Sequence, residues 1–224
     1  MHWTIMILWW LLHIPDDETI WGGEHLLKGK YVVVCITNGN NRTRRKEFAA
    51  VMKQTDSIGL MLSFPDKTHG KRNNWKSCRE EIQQSIDTIV AQKDWATIAT
   101  HNSKGEYGHI HHQMTSAITT AAAKKAGLTD HLYYFGTYVK AKNMEKTKNQ
   151  QYLTNPLTGD ELEAKLCLTK FYASQHKVME HLGHMLPYEN WIPASWSVFR
   201  ISYNDRVSKR PNPDSTECSV LFTL

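Results

Sequence analysis

The chain has 224 residues, 41% of them apolar and 22% charged, with a formal charge of +5 before its 12 histidines are counted. That length suits one medium-sized domain with a substantial core, and the balance excludes a disordered or fibrous polypeptide. The positive charge is scattered except at Arg42, Arg44, Arg45 and Lys46, so nucleic-acid binding is not expected. Cys35, Cys78, Cys167 and Cys218 form no C-x-x-C pair. This argues against a zinc-thiolate knuckle or a redox pair and suits a reducing, cytoplasmic setting. The apolar run from Trp3 to Leu12 is only about half the length a bilayer span needs and has no basic leader. A buried first strand is expected there, with no transmembrane segment and no signal peptide.

Strand-like and helix-like segments then alternate. Ile5–Leu12 reads as a strand and Glu18–Lys28 as a helix. Tyr31–Ile36 is a continuous β-branched run, the mark of a strand covered on both faces. A polar turn, Thr37–Asn41, leads to a helix over Arg44–Gln54 and a strand over Ile58–Leu62. Pro65–Asn74 reads as a polar loop, Trp75–Gln92 as a helix and Trp95–Ala99 as a strand. A second Gly-bearing loop precedes a helix over His109–Ala126, stopped by Gly127. His131–Val139 is a further strand, Lys140–Gly159 a loop and Asp160–His181 a last helix. This rhythm predicts an α/β fold: a three-layer Rossmann-like sandwich, with a mostly parallel sheet and helices on both faces. We expect it to occupy residues 1–185, with 186–224 as an appendage or lid packed on the same domain. Trp9, Trp10 and Trp75 are expected in the core, whereas Trp191 and Trp196 are candidate sugar platforms.

Two polar clusters stand at strand ends. The first, Leu12-His13-Ile14-Pro15-Asp16-Asp17-Glu18, follows the first strand. Asp16 is placed to cap the next helix, but two Asp, a Glu and a His within six residues ask for more than a cap. The second, Gly105-Glu106-Tyr107-Gly108-His109-Ile110-His111-His112, follows the fourth strand. His109 and His112 share a face if a helix starts near Gly108. Parallel strands bring both clusters to one sheet edge, where open α/β sheets hold their sites. Imidazoles with carboxylates make a mixed N/O site suited to Zn2+, with Fe2+ as the alternative.

Taken together, these residues resemble the LmbE-like (PIG-L) N-acetylglucosamine de-N-acetylase family. That family carries A-H-P-D-D-E after its first strand and G-H-x-x-H after a later one. Here these are Pro15-Asp16-Asp17-Glu18 and Gly108 through His112. Thr37-Asn38-Gly39, Arg44-Arg45-Lys46-Glu47, Thr100-His101-Asn102 and Tyr172-Ala173-Ser174-Gln175 are similar to its smaller motifs, and the resemblance covers about Ile5 to Gln175. It implies a zinc-dependent hydrolase that removes acetate from an amino-sugar acetamide. By resemblance, Asp17 and His112 would be metal ligands and Asp16 the general base acting on water. His109 would stabilise the oxyanion or protonate the leaving amine. Tyr107 would lie near the acetyl group, and Arg44 would reach polar groups of the substrate. The partner would be an amino-sugar molecule, small, lipid-linked or polymeric, with the oligomeric state open.

One departure stands out. The family's metal-binding His directly precedes the Pro, where this chain has Ile14, and His13 lies one residue earlier. Alternation along a regular strand would send His13 to the opposite face. A bulge at Ile14 would return it to the site as the third ligand, and this is the expected arrangement. The competing reading is a non-catalytic carbohydrate-binding relative that has lost its metal.

Overall fold

The computed structural model describes residues 8–136, 138–147 and 155–195, with the backbone alone at 8 and 9. The expected start of the first strand at 5–7, the side chain of Trp9, and the end of the appendage with Trp196 and Cys218 lie outside the described residues.

In chain order the elements begin with β1 (Leu8–Leu12), α1 (Asp17–Lys28), β2 (Tyr31–Thr37), α2 (Arg42–Gln54) and β3 (Ile58–Phe64). A small hairpin, β4 (Lys67–Thr68) and β5 (Lys71–Arg72), precedes α3 (Arg79–Val90) and β6 (Thr97–Thr100). Then come α4 (Gly105–Gly108), α5 (Ile110–Lys125), β7 (Leu132–Phe135) and α6 (Met144–Thr147). The last elements are α7 (Gly159–Thr169), α8 (His176–Leu182) and β8 (Trp191–Pro193). The main sheet has six strands in the order β3-β2-β1-β6-β7-β8. All neighbours are parallel except β7 and β8, so the sheet is mostly parallel with helices on both faces.

Strand alternation explains the two cores. Trp10, Leu12, Val33 and Cys35 point to one face, where they meet Ile20 and Trp21 of α1, Phe48 and Val51 of α2, and Leu168 of α7. Leu11, Val34, Ile36 and Ile98 point to the other, against Ile82 and Ile86 of α3 and Ile118 and Ala122 of α5. Apolar burial on both faces of β1 and β2 is what their continuous apolar runs require. The chain builds outward from β1 to β3, then crosses back to place β6 on β1's other side. The carboxyl ends of β1 and β6 therefore flank the point where strand order reverses, the place where sheets of this kind hold their ligand crevice.

Two of the expected helices are altered. The helix read over Asp160–His181 is broken into α7 and α8 by a turn through residues 170–175. The turn brings the Tyr172 hydroxyl to the Glu18 carboxylate, and the Ser174 N–H to Glu47 at 2.8 Å. Satisfying two buried acids outweighs continuing the helix. The helix expected from Trp75 begins only at Arg79, because Trp75 takes a left-handed φ of 51°. Its buried indole donates to the Pro65 carbonyl at 2.7 Å. Trp191 joins the edge of the core on β8. It packs against Trp10 at 5.2 Å and stacks on His25 at 3.9 Å, so it is no open platform. No helix among the described residues is long and apolar enough to cross a membrane.

Candidate metal centre

The β1 end carries the acids. Asp16 occupies the first position before α1 with φ at 106°, a backbone region costly for a residue with a Cβ. Its carboxylate makes no bond to the helix N-terminus, so the expected cap is absent. Instead the turn is held by Glu18, whose Oε2 accepts the Asp16 N–H at 2.9 Å. Asp16 Oδ1 accepts from Arg44 Nη2 at 3.0 Å, and Oδ2 is buried with no partner. Asp17 points the other way: its Oδ2 accepts the Ile14 N–H at 3.3 Å and lies 3.3 Å from His101 Nε2 and 3.5 Å from His112 Nε2.

The two acids are driven apart in basicity. Burial, and then the neighbouring charge of Asp17, push Asp16 well above the usual carboxylate range against the pull of Arg44. Burial also acts upward on Asp17, but His112 and His101 outweigh it and hold Asp17 far below that range. Two adjacent carboxylates with opposite tendencies are the arrangement that separates a proton acceptor from a permanently charged anchor.

The β6 end carries the imidazoles. Glu106 sits at φ 53° in α4 with its carboxylate buried. Its Oε2 takes contacts from His112 Nδ1 at 2.5 Å and His101 Nδ1 at 3.1 Å. A carboxylate can only accept, so both rings carry a proton on Nδ1 and turn Nε2 towards the acids. Burial works against charging His101, but Glu106 and Asp17 together raise it to about 9. Charged His101 donates Nε2–H to Asp17. Neutral His101 instead accepts the His13 N–H at 3.2 Å.

β1 stays regular where a bulge was expected. Leu12 pairs with Cys35, and the Thr37 N–H donates to the His13 carbonyl at 3.1 Å, so the ladder continues in step. His13 thus lies on the face of Leu11. It is nevertheless in the cluster, because α5 starts over that face. The His13 ring is 4.8 Å from His109, 4.6 Å from His111 and 5.6 Å from His112.

Three histidines each leave a buried ring nitrogen unpartnered: Nδ1 of His13, Nδ1 of His109 and Nε2 of His112. These same residues offer ligand atoms within 4.8 Å of one another. Asp17, His101 and His112 form a second such group sharing His112. Buried imidazole nitrogens are rarely left without a partner, and orphans converging beside a carboxylate are what a cation-binding centre requires. The residues present therefore fit a divalent metal.

The expected site residues fall as follows. His13, Asp17, His109 and His112 come together at the crevice, with Asp16 beside them. Tyr107 lies at the rim, 45% exposed, its ring 6.0 Å from His109 and 5.6 Å from His112. Arg44, expected at the substrate, is buried beneath the acids. It donates to the Pro15 carbonyl, to Asp16 and to Glu47 at 2.9 Å, and Glu47 in turn accepts from Ser174 Oγ at 2.8 Å. The sequence reading placed Glu106 and His111 in the second cluster without fixing a role for either, and it missed Asp66. Thr100-His101-Asn102 carried a signal for His101; the acid Asp66 stood in an unremarkable polar loop.

No protein-family model matches the chain. Among curated proteins, it is 26% identical over 121 residues to an uncharacterised protein, L374, of Acanthamoeba polyphaga mimivirus. That match covers 46% of this chain and about half (52%) of the relative's length. Solved structures align more widely. The A40926 pseudoaglycone deacetylase Dbv21 aligns with TM-score 0.58 at 18% identity, over 79% of this chain and 84% of its own. The N,N'-diacetylchitobiose deacetylase of Pyrococcus horikoshii aligns with TM-score 0.59 at 14% identity, over 86% and 85%. A deacetylase of the teicoplanin biosynthesis pathway aligns with TM-score 0.54 at 13% identity, over 75% and 87%. All three are deacetylases, and the chain has their fold.

Proposed function

We propose that the protein is a metal-dependent deacetylase that removes acetate from an N-acetylglucosamine-containing substrate, with zinc as the metal. The observation that carries this reading is that His13, His109 and His112, each with an unpartnered buried ring nitrogen, bring ligand atoms within 4.8 Å of one another, while Asp17 groups with His112 and His101. That the structural neighbours are deacetylases supports the amide as the bond broken.

His13, Asp17 and His112 would hold the metal. When bound, it supplies Lewis acidity at the amide carbonyl and makes a water at the site more acidic. Asp16 Oδ2 has the free lone pair and the raised basicity to take that water's proton as its oxygen joins the amide carbon. Arg44 holds Oδ1, so the carboxylate presents Oδ2 alone. Burial first, then His112 and His13, keep His109 neutral with its pKa lowered to about 2. A neutral imidazole here serves as hydrogen-bond donor to the developing oxyanion. Breaking the C–N bond passes the proton held by Asp16 to the leaving nitrogen, giving acetate and a free amine. Tyr107 at the rim packs against the substrate's acetyl side.

The test is acetate release from a panel of N-acetylglucosamine compounds, free, glycosidic and nucleotide-linked, with and without a chelator. Release that stops with chelator and resumes with zinc supports the reading. No release from any member, together with sugar binding that is indifferent to metal, supports the non-catalytic alternative.

A further inference from the structure

The hairpin between β3 and α3 has no part in the mechanism above, yet it is built with care. His69 and Gly70, both at positive φ (50° and 76°), form a two-residue turn between β4 and β5. The hairpin is closed at its base by the Asn73 N–H donating to the Asp66 carbonyl at 2.9 Å. Arg72 fixes the Asp66 carboxylate at 3.2 Å. That base delivers two acceptors into the histidine cluster: the Asn73 carbonyl and the Asp66 carboxylate.

A chain of contacts follows. His111 Nε2 lies 2.5 Å from the Asn73 carbonyl, and a carbonyl cannot donate, so Nε2 carries the proton. In the neutral ring His111 Nδ1 is then an acceptor. That atom lies 2.8 Å from His13 Nε2 and 3.5 Å from Asp66 Oδ1; with His111 Nδ1 as the acceptor, the His13 ring donates from Nε2. Asp66 Oδ1, 3.3 Å from the same atom, accepts there too. With Nε2 protonated, His13 keeps its lone pair on Nδ1, which is the buried nitrogen without a partner. Trp75 stacks on His111 at 4.2 Å and 6°, fixing the plane of the ring that sets this tautomer.

We propose that Asp66 and His111 are positioning residues that hold His13 as the Nε2–H tautomer, and that this is how a histidine on the opposite strand face serves as a metal ligand through Nδ1. The proposal rests on the deacetylase reading for the purpose of the site. Hydrogen bonds to the remote nitrogen of a ligating histidine fix its orientation and tautomer, and losing them typically weakens metal binding by about 10–100-fold.

The test combines two measurements on the full chain. The first is imidazole nitrogen–proton correlation NMR on chelator-treated wild type. The proposal expects His13 protonated on Nε2, and a His13 protonated on Nδ1 overturns it whether or not any variant folds. The second is zinc affinity by chelator competition for wild type, His111→Phe and Asp66→Asn. His111→Phe keeps a ring against Trp75 but removes both hydrogen bonds. It is expected to bind zinc about 10–100-fold more weakly, with mixed His13 tautomers. Asp66→Asn keeps an oxygen acceptor and is expected to lose less. His111→Phe binding zinc as tightly as wild type overturns the proposal. Wild type that binds no zinc while His13 is held as Nε2–H overturns the deacetylase reading and leaves the relay intact.

Discussion

Among the described residues, a half-buried cluster of histidine and carboxylate can be set against the buried one at the ends of β1 and β6. At the outer end of α1, Glu189 takes the Glu24 N–H at 2.8 Å and Lys165 Nζ at 2.6 Å on one oxygen. On the other it takes the His25 N–H at 3.2 Å and His25 Nδ1 at 2.7 Å. Lys165, fully buried, also donates to the Ile20 carbonyl at 2.9 Å. Glu24, His25 and Glu189 have ligand atoms near enough for a metal, yet none of their buried side-chain atoms lacks a partner. The crevice cluster leaves four unpartnered: His13 Nδ1, His109 Nδ1, His112 Nε2 and Asp16 Oδ2. A complete polar cluster ties α1, α7 and the segment before β8 together; an incomplete one keeps its lone pairs for a ligand.

The contrast predicts opposite results for substitutions in the two places. Asp16→Asn is expected to cut turnover by about 10²–10⁴-fold, the usual contribution of a general base, while zinc content stays unchanged. Loss of metal in that variant would make Asp16 a ligand instead. Lys165→Met strips Glu189 of its buried cation and is expected to cost about 3–5 kcal/mol of stability with zinc affinity unaltered. Denaturant titration and chelator competition on the same sample separate the two effects. Glu106→Gln is expected to weaken zinc by about 10–100-fold, because the group orienting His112 no longer accepts as strongly.

Acidity sharpens the contrast further in the metal-free protein. Burial, reinforced by His112 and His111 against the pull of Asp66 and Asp17, lowers His13 from 6.5 to about 3. The unfolded chain therefore binds a proton that the folded chain refuses, and stability falls as pH drops from 6.5 towards 3. Glu106, lowered to about 2 by His101 and His112 against burial, adds to the acid loss below 4.5. His101, raised to about 9 by Glu106 and Asp17 against burial, acts in the other direction, and its contribution is lost as pH rises from 6.5 through 9. Asp16 and Glu18, raised by burial, also lose stability as pH rises, so thermal melts in chelator should fall on the alkaline side as His101 loses its proton towards pH 9. A plateau to pH 9 would contradict the protonated state of His101.

Much of this was legible in the residues. The β-branched run at Tyr31–Ile36 and the apolar spacing of Ile82, Ile86 and Val90 read correctly as strand and helix, since burial on two faces or one leaves a clear period. Acids after β1 and imidazoles after β6 were readable as one edge, because parallel strands share direction. What was not legible depends on distant partners. The break at residues 170–175 exists to satisfy Glu18 and Glu47, more than a hundred positions away. Arg44 looked like a substrate contact until its guanidinium was seen to be buried beneath Asp16. The loop 65–74 has no hydrophobic period, so nothing in it pointed to Asp66. Nor does composition reveal that Asp16 and Glu106 adopt positive φ. The smallest predicted effect belongs to the rim: Tyr107→Phe, half-exposed, is expected to change KM only a few-fold and leave zinc binding alone.

The most direct test is the metal content of untagged protein, purified without added metal and measured by mass spectrometry beside Asp17→Ala and Glu189→Gln. The account predicts about one divalent cation per wild-type chain, lost in Asp17→Ala and kept in Glu189→Gln. Wild type that takes up no zinc even when supplied, or metal that leaves with Glu189→Gln and stays with Asp17→Ala, would contradict it.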